Sequence, residues 1–298
     1  MPTIELPAGI LDYTDSGGDG PTVVLAHGPA VDGTLWRHVV EDLRGRYRVL
    51  VPTLPFGSHL RPMRPGADLS PDGMARLLGD FLEALELTGV TLVQNDAATG
   101  MLLAVSGTPA AGRIARLVLA SVEAFDNFPP GLPGRAIWLA AKVPGGLAAA
   151  AQPLRFPPLR RLPVAYGRLS RRTVPREITD RWSWPLLHSA EAREDLRTYL
   201  RGARPDRLRR AAAEAGSFDR PVLVAWGAED RVMPLAHGRR LAALFPQGSY
   251  LEIPGSGTLI PEDQPDALAA AIDAFIDEST DKSTDESTDK NIDTGDKG

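Results

Sequence analysis

Apolar residues in this chain fall into short β-branched and leucine-rich runs, separated by longer stretches of helical period. Residues 10–14, 22–26, 48–51, 91–93, 114–120, 221–226 and 250–253 read as strands, several of them apolar at nearly every position. Continuous apolar runs of that length fit strands buried on both faces. Between them the period changes. Residues 34–43 carry a Leu/Trp/Val/Leu face, and a second helix runs from Pro71, behind Ser70 as N-cap, to about Leu87 before Gly89. Two more cover 235–245 and 265–276. Proline at the first helical position and glycine after the last are the usual helix boundaries. Strands alternating with helices predict an α/β fold with a mainly parallel sheet covered on both faces. Sites in such sheets lie beyond the carboxyl ends of the strands.

The pattern breaks between 122 and 218. No strand-like run appears there, and proline and glycine interrupt short helical pieces. The predicted organisation is a core of residues 1–121 and 219–277, a helical insertion of residues 122–218, and an acidic tail from 278 to 298. The tail holds seven acids and three lysines with almost no apolar residue, which predicts disorder.

The stretch Thr91-Leu92-Val93-Gln94-Asn95-Asp96-Ala97-Ala98-Thr99-Gly100 is the strongest local signal. An apolar strand ends at polar residues, small residues follow, and a helical run begins. A strand, sharp turn and helix hold the tip residue clear of its own backbone, as at a nucleophile elbow. Here the tip is Asp96. The same residues also read as an ordinary loop with Asp96 favoured by a helix dipole.

Four further landmarks decide between these readings. In order they are Thr22-Val23-Val24-Leu25-Ala26-His27-Gly28, then Pro55-Phe56-Gly57-Ser58 after the strand at 48–51, then Gly227-Ala228-Glu229-Asp230 after the strand at 221–226. The last is Gly255-Ser256-Gly257-Thr258 with Pro261-Glu262-Asp263-Gln264-Pro265. With the Asp96 elbow, this series resembles the α/β-hydrolase family over about residues 4–277, and the insertion falls where that family carries a helical cap. An aspartate at the elbow resembles the branch containing haloalkane dehalogenases and epoxide hydrolases, in which the carboxylate attacks carbon and a histidine-activated water clears the ester. The resemblance implies Asp96 as nucleophile or general base and Asp230 as the orienting acid. It also implies an apolar pocket for a small molecule and no metal or organic cofactor.

Two departures stand out. The position where the family places its histidine is Thr258, and no histidine follows His237. A hydroxyl does not accept and hold a proton at neutral pH as imidazole does. His27 and His59, both near the strand ends, are the candidate substitutes. The family's oxyanion hole draws on the N–H after the elbow residue, here Ala97, and on one just past His27-Gly28, where Pro29 has none. Ala30 is the candidate replacement, and Asn95 lies beside the elbow. Three readings remain: a hydrolase with a rearranged site, a lyase, isomerase or cyclase on the same scaffold, or a ligand-binding pseudoenzyme.

Composition narrows the partners. The chain has no cysteine, which excludes disulfides and thiolate catalysis. Its net charge of −5 argues against nonspecific nucleic-acid binding. No apolar run is long enough to cross a bilayer, so a cytoplasmic protein without a membrane partner is expected. Residues 155–210 hold fifteen arginines against six acids, read either as solvated helix faces or as a surface for an anionic partner.

Overall fold

A computed structural model describes residues 1–293, with side chains through Thr280. Eight strands form one sheet: β1 (Thr3–Leu6), β2 (Gly9–Asp15), β3 (Thr22–Ala26), β4 (Arg48–Pro52), β5 (Val90–Asp96), β6 (Ile114–Val122), β7 (Val222–Gly227) and β8 (Gly248–Ile253). Their spatial order is β1-β2-β4-β3-β5-β6-β7-β8. The β1/β2 and β2/β4 pairs are antiparallel, and every other pair is parallel. The α/β expectation therefore holds, and each expected strand is present. β1 was not expected, because four residues with one fully buried side chain leave too short a pattern to read.

Alternate residues of the central strands feed two cores. Val23, Leu25, Val93 and Val118 face α1 (Arg37–Leu43) and α11 (Pro265–Asp293), whose Val39, Leu43, Leu268 and Ile272 complete that side. Val24, Leu92, Leu117 and Val224 face α2 (Pro71–Ala84) and α3 (Thr99–Ala104). Period-2 alternation sends neighbouring side chains to opposite faces, so strands covered twice are apolar throughout. Ser70 caps α2 by accepting from Gly73 N–H at 3.2 Å, with Pro71 at the first turn, as the sequence suggests.

Between β6 and β7 lie α4 (Gly131–Lys142), α5 (Gly146–Ala151), α6 (Arg176–His188), α7 (Ala190–Gly202) and α8 (Pro205–Glu214). Among the described residues this segment holds no strand. It is tied to the sheet-end loops by Trp182 Nε1 donating to Thr34 Oγ1 at 2.9 Å, Ser58 Oγ donating to Trp182 O at 2.8 Å, and Arg181 Nε donating to Asp32 at 2.5 Å. After β7 come α9 (Leu235–Ala242) and, beyond β8, the single turn α10 (Ile260–Asp263).

Helix covers the first part of the expected tail. α11 runs past residue 277, and Arg116 donates to Ser279 and Thr280 hydroxyls, so these residues are anchored to β6. No glycine or proline interrupts 278–293, and extending an existing helix avoids the cost of nucleation. The remainder of that expectation, residues 294–298, lies outside the described residues.

Candidate active site

Three strand ends deliver three acids. Asp96 closes β5 with φ +69°, and Ala97 N–H returns to Asn95 O at 2.9 Å, a tight three-residue turn. Positive φ in a residue with a β-carbon is strained and persists only where neighbours hold it. Gln94 Nε2 donates to Ala26 O, His27 O and Asn95 O, while Gln94 Oε1 accepts from Gly100 N–H at 3.1 Å. Asn95 Nδ2 donates to Ala120 O and Thr258 O, each at 2.7 Å. Gly28 backs directly onto the Asp96 side chain, and a β-carbon there would overlap the carboxylate.

Glu123, immediately after β6, donates its N–H to Asp96 O at 2.8 Å, and its side chain is buried. Tyr199 of α7 donates its hydroxyl to Glu123 Oε2 at 3.3 Å. Asp230, after β7, accepts at Oδ1 from Val232 N–H, Met233 N–H and the Thr258 hydroxyl, all at 2.8 Å. Its other oxygen is buried with no hydrogen-bond partner.

The model of the α/β hydrolase fold family matches residues 21–265. The chain belongs to the α/β hydrolase fold family. Haloalkane dehalogenase 2 of Mycobacterium tuberculosis is 28% identical over 278 residues, covering 89% of this chain and 90% of that protein. Cis-3-alkyl-4-alkyloxetan-2-one decarboxylase of Xanthomonas campestris is 27% identical over 285 residues, covering 89% and 92%. Among solved structures, an ancestral haloalkane dehalogenase superposes with TM-score 0.76 at 18% identity, covering 94% of this chain and 99% of that one. A thermophilic esterase from Thermogutta terrifontis gives 0.71 at 22% identity, covering 94% and 99%. The protein is thus an α/β-hydrolase-fold enzyme related to haloalkane dehalogenases and to a decarboxylase.

In this α/β hydrolase, Asp96 and Glu123 lie in the lining of a cavity of ≈ 390 Å³ walled mostly by apolar residues of the insertion, with Tyr166 and Tyr199 as its phenols. Burial pushes the Asp96 carboxyl up to about 7, and the charge of Asp230 adds to the shift. Burial, followed by the charge of Asp96, raises Glu123 well above the ordinary glutamate value, against the opposing Tyr199 bond. Desolvation disfavours an ionised carboxylate, so burial favours the protonated form of Glu123, and near neutrality Asp96 is poised between its two forms.

The two substitute histidines do not meet Asp96. His27 Nε2 accepts from Leu54 N–H at 2.9 Å, which places the ring proton on Nδ1, facing Gly28 O at 2.9 Å. Burial lowers its pKa further, so His27 is a neutral strut in the turn. His59 accepts from Gly57 N–H at Nδ1, 3.3 Å away, and turns Nε2 to Asp195 Oδ2 at 2.9 Å. Among the described residues, no histidine lines the cavity. Backbone N–H groups captured both rings, and a bound ring nitrogen is not free to serve as base.

The N–H groups of the oxyanion reading are likewise engaged. Ala97 N–H is spent on Asn95 O, Pro29 has none, and Ala30 N–H is committed to Phe56 O at 3.0 Å. Pro29 and Ala30 do line the cavity, whereas Asn95, Ala97 and Thr258 are buried behind it. Glu123 and Tyr199 escaped sequence reading. A lone acid directly after a buried strand, as Asp96 closes β5 and Asp230 follows β7, was the available signal for Glu123. Nothing in the sequence marks Tyr199.

Proposed function

We propose that this α/β hydrolase acts on a small, largely apolar molecule by proton transfer between carboxyl groups, with the insertion 122–218 as its cap. Asp96 is the general base. Glu123 is the proton donor, oriented by Tyr199. The observation that carries this reading is the Asp96–Glu123 pair in the lining of an apolar cavity, one carboxyl held near 7 and the other raised well above the ordinary glutamate value by burial. A catalytic pKa close to the working pH maximises general-base efficiency. Two carboxyls with separated proton affinities divide naturally into base and acid.

The chemistry balances without an oxyanion hole. Asp96 removes a proton from substrate carbon or from a water, and Glu123 gives its proton to the oxygen on which charge would gather. The proton on Asp96 then returns to Glu123 within the same cavity. Elimination, isomerisation and ring opening of an oxygen-bearing substrate all fit this exchange. Ester hydrolysis through an oxyanion fits poorly, since one missing donor costs about 10²–10³ in rate.

A second reading is favoured by the elbow geometry. The turn at Asp96 presents its carboxylate to the cavity, as covalent attack on carbon requires. Intact-protein mass spectrometry with alkyl halides, epoxides and β-lactones separates the two readings. Turnover without an adduct, abolished by Asp96→Asn, supports proton transfer. A stable mass increment lost in Asp96→Asn supports the nucleophile. Thermal stabilisation by ligands, with neither turnover nor adduct, supports a binding protein.

A further inference from the structure

Charge is divided sharply between the two parts of this chain. The insertion, residues 122–218, carries seventeen basic and nine acidic side chains, net +8, and the remainder of the chain therefore carries −13. The asymmetry is steepest in residues 127–176, which hold nine arginines and lysines and no aspartate or glutamate. Half of the arginines further along are paired: Arg181 with Asp32, Arg197 with Glu194, Arg207 with Asp72 and Arg209 with Asp206. Arg135, Arg155, Arg161 and Arg168 are exposed, and none forms an ion pair among the described residues.

The same segment leaves large apolar side chains in water. Phe156 is 62% exposed, Val164 48% and Leu162 42%. Leu159, Leu162 and Val164 also line the cavity that holds Asp96, so these residues form its rim. On α4, Leu132 and Leu139 stand exposed two turns apart on one face of the helix, and Val143 is exposed just past its end. Residues of α4 such as Ala136 and Ile137 line the cavity from within. An exposed apolar patch of this extent marks an interaction surface.

We propose that this rim docks on an anionic lipid surface and opens the cavity toward it. The exposed apolar side chains enter the headgroup boundary, and the unpaired arginines meet lipid phosphates. Interleaved apolar and basic residues are what such a surface selects. The net −13 of the remainder, repelled by the same charge, orients the molecule with the rim down. A nucleic acid would also attract the arginines but gives Phe156, Leu162 and Val164 nowhere dry to go. The absence of a spanning helix among the described residues is compatible with a protein that lies on a membrane. Docking rests on the rim alone. Delivery of apolar substrate from the bilayer into the cavity rests additionally on the function proposed above.

Vesicle co-sedimentation tests docking without any assay of activity. The full chain should sediment with vesicles of phosphatidylcholine containing about a third phosphatidylglycerol, remain in the supernatant with pure phosphatidylcholine, and be released by salt. Arg155→Glu/Arg161→Glu should weaken binding at least tenfold, at about fivefold per basic residue removed. Phe156→Ser/Leu162→Ser should weaken it to a similar degree with the arginines intact. The paired, exposed Arg209→Glu should change it less than the double charge variant. Circular dichroism confirms that each variant is folded. No sedimentation of the wild type overturns the proposal, as does sedimentation unaffected by both double variants. Tight binding to polyuridylate with none to vesicles overturns it in favour of nucleic acid. Asp96→Asn should leave vesicle binding unchanged, which keeps this result separate from the proposed chemistry.

Discussion

The backbone carbonyl of Asp96 accepts the N–H of Glu123 at 2.8 Å, which locks the ends of β5 and β6 together and sets two acids side by side. Burial raises the proton affinity of both carboxyls; the charge of Asp230 adds to the shift of Asp96, and the charge of Asp96 adds to that of Glu123. The first consequence is in stability. The folded-state pKa of Asp96, about 7, lies above the ordinary aspartate value of 3.8. Well below pH 3.8 both states hold the proton and nothing is lost. As pH rises toward 7 the unfolded chain ionises and the folded one does not, so stability falls, with the full cost present above pH 7. That cost is on the order of 4 kcal/mol. Asp96→Asn should therefore raise Tm at pH 8 and leave it nearly unchanged at pH 4, as read by calorimetry at both values.

Glu123→Gln separates the acid from the base. The rate should rise with pH through about 7 in the wild type as Asp96 ionises, then fall once Glu123 loses its proton. The variant should keep the rising limb, lose the falling one, and be slower by about 10²–10⁴. A pH profile of kcat/KM with any turned-over substrate decides this; an unchanged falling limb removes Glu123 from the mechanism.

Gly28→Ala places a β-carbon where the Asp96 carboxylate now sits. The expected outcome is a folded protein with turnover reduced at least about a hundredfold, because misplacing a reacting group by about 1 Å costs that much. Activity alongside circular dichroism checks it.

Thr258→His restores an imidazole beside Asp230 in place of the hydroxyl that bonds it at 2.8 Å. If Asp96 is an intact elbow, the variant should release halide or diol from substrates that leave an adduct on the parent. Thr258→Val removes only one of the three donors to Asp230 Oδ1 and should cost about 1 kcal/mol of stability.

His27→Ala and His59→Ala should act on stability rather than on chemistry. The first strands the buried Leu54 N–H and should cost about 1–3 kcal/mol. The second takes the imidazole partner from Asp195, which still accepts Met63 N–H at 2.9 Å. Activity per folded molecule should stay within twofold of wild type in both, measured at a temperature well below the lower Tm.

Strand positions, the elbow at Asp96 and the family were legible in the sequence because each is written locally. A buried parallel strand must be apolar throughout, and the polar residue that ends it marks where a site can form; Asp96 and Asp230 are candidates on that ground. Thr258 was legible as an absence, and the structure gave it a partner. What side chains meet was decided by tertiary structure alone. His27 and His59 stand at the right strand ends, yet Leu54 and Gly57 N–H groups, brought in by the turn after β4, take their ring nitrogens first. Glu123 became part of the site only when β6 paired with β5 and α7 folded across it to supply Tyr199. The shift of Asp96 to about 7 depends on burial beneath α4 to α7, a property of the folded cavity that no spacing along the chain encodes. Sequence specifies which groups reach the end of the sheet. Packing decides which of them are already bonded, and how much water remains to hold a charge.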